Sequence, residues 1–190
     1  MEKEIIIGIA LGIGLSASAG FRVFVPLLIT ALASRFDIIP LNESFEWLSS
    51  APALISLSVA TVIEIAAYYI PFIDNLLDTI AMPLAIGAGT ILAASVLPVD
   101  QGFLKWIMAF IIGGGASATV QGGTSLLRLA STGATGGIGN SVVTTGENIA
   151  AIGIPMLTIA IPLLMVILVV ALLVYILRKI FIRRVAKSRI

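Results

Sequence analysis

The chain of 190 residues is 59% hydrophobic and only 11% charged, with a net charge of +1 and a mean hydropathy of +1.15. Soluble domains carry about 25% charged residues, so this composition predicts a polytopic integral membrane protein built from α-helices. The chain has neither cysteine nor histidine, which removes disulfides, imidazole proton relays and the usual ligands of zinc, haem and iron–sulfur clusters. We therefore expect no metal and no cofactor.

The first apolar run, residues 4–33, is longer than the about 20 residues that cross a bilayer, and we predict that it is tilted, broken near residues 16–20, or both. Arg22 lies near the middle of this run, where an arginine costs about 2.5–3.5 kcal/mol on insertion scales. Gly20 and Pro26 weaken the helix on either side of it. Freed backbone groups at this position would be available to bind a ligand.

After residue 35 the chain continues with an acidic interfacial loop and then with further apolar segments. In chain order, the predicted spans and weaker segments are 51–70, 79–97, a span from 103 that passes into a small-residue region at 113–128, a polar segment at 131–146, and a proline-interrupted segment at 147–177. The sequence therefore predicts about six transmembrane helices, some of them broken or re-entrant.

The domain organisation follows from the charge pattern. Residues 1–177 are predicted to form a single transmembrane domain, and residues 178–190 a basic tail. By the positive-inside rule this tail lies in the cytoplasm, so we expect a multi-pass protein of the inner (plasma) membrane with its C-terminus inside. The tail is expected to contact membrane lipids and not nucleic acid.

Two short matches suggest an internal repeat of residues 1–100 and 101–177. The segment 16–18 recurs at 117–119, and the segment 65–71 recurs at 149–155. Two halves with three crossings each would be inverted relative to one another. This predicts six crossings with both termini in the cytoplasm, and a five-crossing arrangement with termini on opposite sides stays open.

Three groups of residues carry a family resemblance. They are G-F-R followed by P-L-L at 20–28, Glu64 followed by P-F-I-D-N-L-L-D at 71–78, and Arg128 with 131–132, 139–140 and Glu147. Together they resemble a family of small bacterial polytopic membrane proteins that is catalogued as a domain of unknown function, with a number in the four-thousand series. The resemblance implies the architecture and no substrate. Members often carry a histidine where this chain has Gln121, so a proton relay would lack its imidazole here.

Arg22 and Arg128 are the two cations that the sequence places in apolar surroundings. Arginines beside unwound, small-residue backbone suit an anionic small molecule or a lipid phosphate, because a guanidinium binds such groups with a bidentate fork. The predicted substrate-binding residues are Arg22, Arg128, Gln121, Ser18, Gly20 and Thr124. The alternative is that each arginine pairs with a carboxylate of the protein, Arg22 with Glu64 and Arg128 with Glu147.

Four acidic residues are candidates for ion coupling or for counter-charge: Glu64, Asp74, Asp78 and Glu147. Glu64, inside a span, would carry a proton or sodium ion, or would serve only as a counter-ion. Asp74 and Asp78 flank a turn and could instead be Asx-turn and N-cap residues, and Glu147 could favour a helix dipole. The small residues at 113–123 suit either close helix packing or the approach of backbone to a ligand.

These features favour a small secondary transporter, flippase or channel for an anionic solute or lipid head group, with its site at the repeat interface. The chain lacks a P-loop and a G-x-S-x-G nucleophile elbow, so we expect neither ATP-driven pumping nor an enzyme, and no catalytic residues. The alternative function is a structural or accessory membrane subunit whose buried charges only pair helices. Because one protomer of this size encloses little volume, we expect a homodimer.

Overall fold

The computed structural model describes residues 2–99 and 102–187, and the regular structure within these residues is helical throughout. The helices are α1 (Glu2–Ala19), α2 (Phe24–Arg35), α3 (Ala51–Ala67), α4 (Pro71–Val96), α5 (Gly102–Ala109), α6 (Gly115–Thr135), α7 (Asn140–Ala160) and α8 (Pro162–Lys187). A 3-10 helix, Glu43–Ser49, precedes α3, and a π-helical turn, Phe110–Gly114, joins α5 to α6. The predicted all-helical architecture is confirmed.

Four segments of the described chain are long and apolar enough to cross a membrane: Leu76–Val96, Gly102–Thr135, Asn140–Ala160 and Pro162–Lys179. The 3-10 helix and α3 pass the same test as one span bent by 64°, which raises the number to five. The apolar helix α2 is shorter, with 12 residues. These helices indicate a multi-pass membrane protein, whereas the predicted six crossings are not confirmed.

The helices alternate in direction between two ends of the bundle. Helix α1 runs antiparallel to α4, because Gly8 lies against Pro98 and the Ser16 hydroxyl donates to the Gly89 carbonyl at 2.7 Å. We call the end near Gly8 and Pro98 the proximal end, and the end near Tyr68, where α3 finishes, the distal end. Helices α1, α3, α5–α6 and α8 run from proximal to distal, and α2, α4 and α7 return.

This alternation differs from the predicted arrangement in two respects. Helix α1 begins and α8 ends at opposite ends of the bundle, whereas six crossings would bring both termini to one side. In an inverted repeat, corresponding helices run in opposite directions. Ser16 on α1 and its supposed counterpart Ser117 on α6 lie on helices that run in the same direction. The inverted repeat is therefore not confirmed.

The first apolar run is broken at residues 20–23, between α1 and α2, just beyond the predicted position. Gly20 lies so close to α6 that a Cβ there would be 2.5 Å from the Ser117 carbonyl oxygen and 2.6 Å from the Val120 Cβ. A side chain at this position would push the two helices apart. The break thus turns the chain directly against α6 and leaves Arg22 at the head of the returning helix.

Close packing of small residues holds the centre of the bundle together. A Cβ on Gly89 of α4 would lie 2.6 Å from the Gly113 carbonyl oxygen, and a Cβ on Gly113 would collide with the Gly89 carbonyl in turn. The Ser117 hydroxyl donates to the carbonyls of Gly113 and Gly114 at 3.0 Å in both cases. The close approach of Gly89 and Gly113 shows that the small-residue region is used for close helix packing, one of the two uses considered for it.

Substituting Gly113 with alanine is expected to lower the stability of the protein by about 1–3 kcal/mol, because the added methyl group meets backbone that cannot move aside. Gly115, two residues further along, is a matched control, since a Cβ there has no neighbour within 4 Å. Gly115→Ala should be neutral or slightly stabilising. Thermal unfolding of both variants in detergent measures the difference, and equal midpoints would show that the α4 contact is not tightly packed.

Candidate functional site

Arg128 of α6 is only 4% exposed and is held between two acidic helices. Its Nε donates to Glu147 Oε1 at 3.1 Å, and its Nη2 donates to Oε2 of the same carboxylate. Its Nη1 donates to Asp74 Oδ1 and lies 3.7 Å from Asp78 Oδ2. The Arg128–Glu147 pair that the sequence suggested is thus present, as a bidentate ion pair, and two further carboxylates join it.

Arg22 is 2% exposed and reaches from the α1–α2 break to the same helix, α7. Its Nε donates to Asn148 Oδ1 at 2.7 Å, and its Nη1 donates to Glu147 Oε2 at 2.9 Å and to its neighbouring carbonyl, Phe21 O, at 2.7 Å. Its Nη2 lies 3.5 Å from the Thr144 carbonyl oxygen, which accepts a long hydrogen bond. Both arginines therefore converge on one carboxylate, that of Glu147.

Glu64 takes a different role from the one expected. Its two carboxylate oxygens accept hydrogen bonds from the backbone N–H groups of Val23 at 2.7 Å and Phe24 at 2.9 Å, where α2 begins. Helix α2 has valine at its N-cap position, with no side-chain hydrogen bond of its own. Glu64 supplies the missing cap and places a negative charge at the positive end of the helix dipole. The predicted Arg22–Glu64 ion pair is replaced by this cap and by the Arg22–Glu147 pair.

The ring of Tyr68 lies against both guanidiniums. Its centroid is 3.8 Å from Arg22 Cζ and 4.8 Å from Arg128 Cζ, distances at which cation–π attraction is significant. Tyr68 follows the last residue of α3 and is only 9% exposed. Tyr68 thus fixes the spacing between the two cations without adding charge.

The charges at this site do not balance. We call Arg22, Arg128, Asp74, Asp78 and Glu147 the charge network, in which three carboxylates face two guanidiniums. Asp78 is the most exposed of the three carboxylates, and its Oδ1 is buried without a hydrogen-bond partner among the described side chains. With all five groups ionised the network carries one excess negative charge, and excess charge in a low-dielectric interior is costly. Among the described residues, no group of three or more acidic side chains is placed to hold a metal ion.

A cavity of about 380 Å³ with several polar lining residues lies beside the charge network at the distal end. It is lined by Tyr68, Tyr69, Asp74, Thr132, Gly136, Gly137, Ile138, Asn140 and Ser141. Tyr68 and Asp74 belong to the walls of this cavity and also contact Arg128. We call this cavity the vestibule, because it leads from the turn between α6 and α7 towards the two arginines.

The remaining predicted substrate-binding residues have local contacts. The Ser18 hydroxyl donates to the Leu15 carbonyl at 2.5 Å, the Thr124 hydroxyl donates to the Gln121 carbonyl at 3.0 Å, and the Gln121 amide donates to Ser125 Oγ at 3.4 Å. All of these bonds stay within α1 or α6, and Gly20 serves the packing of those two helices. The structure thus brings Arg22 and Arg128 together, whereas the hydrogen bonds of Ser18, Gln121 and Thr124 stay within their own helices.

Sequence reasoning missed three residues that contact the arginines: Tyr68, Thr144 and Asn148. Besides its carbonyl contact with Arg22, Thr144 accepts a hydrogen bond from Arg128 Nη2 through its Oγ1 at 3.3 Å. A signal for two of them was present, because Thr144, Glu147 and Asn148 have the i, i+3, i+4 spacing that puts side chains on one helix face. Tyr68 carried no such signal, since tyrosines near helix ends ordinarily sit at the membrane interface.

Comparison with known proteins places the chain in a family. A search of curated proteins and a search of solved structures each found no match. A family model described as a domain of unknown function, DUF4126, matches residues 9–181, which include the whole charge network. The resemblance to an uncharacterised family is thereby confirmed, and the chain belongs to the DUF4126 family.

Proposed function

We propose that this protein is a small secondary transporter for an anionic solute or a lipid head group, with the charge network as its closed gate. The position of Glu147 carries the proposal, because its single carboxylate bridges the guanidiniums of Arg22 and Arg128 beside the vestibule. Two arginines that converge on one carboxylate have the geometry to bind the acidic group of a solute. In this mechanism Glu147 releases the two guanidiniums but stays buried beside them, and the acidic group of the solute takes its place on the arginines.

Charge balance argues that the solute moves with a proton. Three carboxylates already face two guanidiniums, so an anion that entered alone would add to a buried excess of negative charge. If one proton enters with each monovalent anion, the charge of the network stays constant. Asp78, with one unpaired buried oxygen, is the carboxylate that we propose accepts this proton.

The orientation is also a proposal. Arg178 and Lys179 lie in the distal half of α8, and Arg183, Arg184 and Lys187 follow on the same helix, although their side chains lie outside the described part of the chain. By the positive-inside rule the distal end, and with it the vestibule, would face the cytoplasm of a bacterial inner membrane. The homodimer stays a prediction from the size of the chain.

One observation favours the second candidate function, a structural or accessory subunit. Every nitrogen of both guanidiniums has an acceptor in the protein, Arg22 through Asn148, Phe21, Glu147 and Thr144, and Arg128 through carboxylates and Thr144. Saturated arginines of this kind fix several helices to one another. On this alternative the charge network has no exchangeable partner and binds no ligand.

Substituting Glu147 with glutamine distinguishes the two functions. The amide keeps the size of the side chain but releases both guanidiniums from a carboxylate, so a transporter should bind its anion about tenfold more tightly. The measurement is a thermal-shift titration in detergent with acetate, succinate, inorganic phosphate and glycerol phosphate. Glu46→Gln, an exposed carboxylate on the proximal 3-10 helix, is the matched control.

If Glu147→Gln unfolds at a lower temperature than the wild type and no anion raises its midpoint, the transporter proposal is wrong and the structural candidate stands. Glu147→Asp is a second variant, to be used if Glu147→Gln does not fold. Its shorter carboxylate keeps the charge but cannot bridge both arginines. A transporter should then show anion binding in the aspartate variant at lower concentrations than in the wild type.

A further inference from the structure

A second concave site lies on the outer face of the bundle, between α6 and α8. It has a volume of about 190 Å³ and is lined mainly by apolar side chains, among them Phe21, Leu127, Leu172 and Ile176. Leu127 is 56% exposed, so the groove opens to the surroundings of the protein and not to the vestibule. In a membrane-spanning bundle, an open apolar groove at this position faces the acyl chains of the bilayer.

The floor of this groove depends on a glycine. A Cβ on Gly123 of α6 would lie 3.2 Å from Ile176 Cδ1 on α8, which is tighter than ordinary van der Waals contact. Because this glycine lets the two helices approach closely, their contact forms the floor of the groove. An open apolar groove of about 190 Å³ has room for part of one hydrocarbon chain.

A cation closes the distal end of the groove. Lys179 is one of its lining residues, and Lys179 Nζ lies 5.6 Å from the centroid of the Tyr175 ring, which also lines it. Arg178 is the adjacent exposed residue. Lysine and tyrosine at the end of a membrane helix lie at the level of the lipid head groups, where a cation meets phosphate.

We propose that this groove binds one acyl chain of an anionic phospholipid, whose head group contacts Lys179. The apolar lining selects a hydrocarbon chain, and the charge of Lys179 selects an anionic head group over a zwitterionic one. The site is independent of the proposed transport, because it is built on the outer face of α6 and α8 and takes a lipid of the surrounding membrane as a bound ligand.

The experiment is a thermal-shift titration of the full chain in detergent. The probes are phosphatidylglycerol, phosphatidylcholine with the same acyl chains, and inorganic phosphate. For the wild type, phosphatidylglycerol should raise the unfolding midpoint at lower concentrations than phosphatidylcholine, and any shift with phosphate, which would report the charge network, should be the same in Lys179→Gln as in the wild type. Lys179→Gln should require about fivefold more phosphatidylglycerol for the same shift. Lys105→Gln, which removes a lysine on α5 near the proximal end, should behave as the wild type.

A second variant tests the acyl-chain part of the site. Ala130 lines the groove and is exposed, so Ala130→Phe fills the groove and leaves Lys179 unchanged. This variant should lose the phosphatidylglycerol shift. The proposal is overturned if Lys179→Gln keeps the wild-type preference, if the two lipids act equally on the wild type, if phosphate alone gives a shift that Lys179→Gln removes, or if Ala130→Phe still responds.

Discussion

Substituting Arg128 with methionine is expected to destabilise the protein by about 3–5 kcal/mol, the cost of removing one partner of a buried ion pair. Methionine keeps much of the side-chain volume, so the loss is electrostatic. Asp74 and Asp78 would then face each other without a guanidinium, whereas Glu147 would retain Arg22. Thermal unfolding in detergent should show a large fall in the midpoint.

Arg35→Met is the matched control, because Arg35 is exposed at the end of α2, and its midpoint should stay close to that of the wild type. The double variant Arg128→Met with Asp74→Asn removes one of the stranded carboxylates and should recover part of the loss. A single variant as stable as the wild type would show that the Arg128 pairs contribute nothing to stability. A double variant no better than the single one would show that Asp74 is not the carboxylate that needs Arg128.

The sequence was sufficient to identify the charged members of the site. Charges within apolar runs are costly, so Arg22, Arg128 and Glu147 stand out by position alone. Asp74 and Asp78 were also candidates, although their ordinary use at a turn was an alternative. The structure brings all five into one network, because the α1–α2 break, the start of α4 and parts of α6 and α7 meet near the distal end.

The pairing within the network could not be predicted from the sequence. Glu64 was the expected partner of Arg22, since it is the only carboxylate within the 51–70 span. Which carboxylate is nearer depends on how the chain turns at Gly20, and that turn aims Arg22 at α7 and leaves the first N–H groups of α2 to Glu64. Because α2 has no capping side chain of its own, Glu64 caps this helix and does not pair with Arg22.

The number and direction of the helices could not be predicted from the sequence either. Composition and hydropathy establish apolar helices, but whether α2 is a separate helix depends on the break at Gly20, and one additional segment reverses the direction of the helices that follow. Short matches among small residues, such as those at 16–18 and 117–119, recur because close packing against neighbouring helices selects the same residue types. Such matches are therefore weak evidence, and the predicted internal repeat stays unconfirmed.

Substituting Arg22 with lysine is expected to lower the stability of the protein by about 2–4 kcal/mol, although the positive charge is kept. Hydrogen bonds to charged groups are each worth about 1.5–3 kcal/mol, and one ammonium cannot replace the planar, forked set of donors on a guanidinium. Arg22 uses Nε for Asn148 and Nη1 for Glu147, and its guanidinium stacks on Tyr68 at 3.8 Å. A lysine would retain one of these contacts at most. Arg178→Lys, at an exposed position on α8, is the control and should be neutral.

Arg22→Lys also distinguishes the transporter from the structural subunit when anion uptake is measured. In proteoliposomes, a transporter that binds its anion between two arginines should lose acid-driven anion uptake in Arg22→Lys even at temperatures where the variant remains folded. The bidentate site requires a planar fork, which an ammonium does not provide. Uptake equal to that of the wild type at such a temperature would remove Arg22 from the binding site. Its role would then be limited to joining the α1–α2 break to α7.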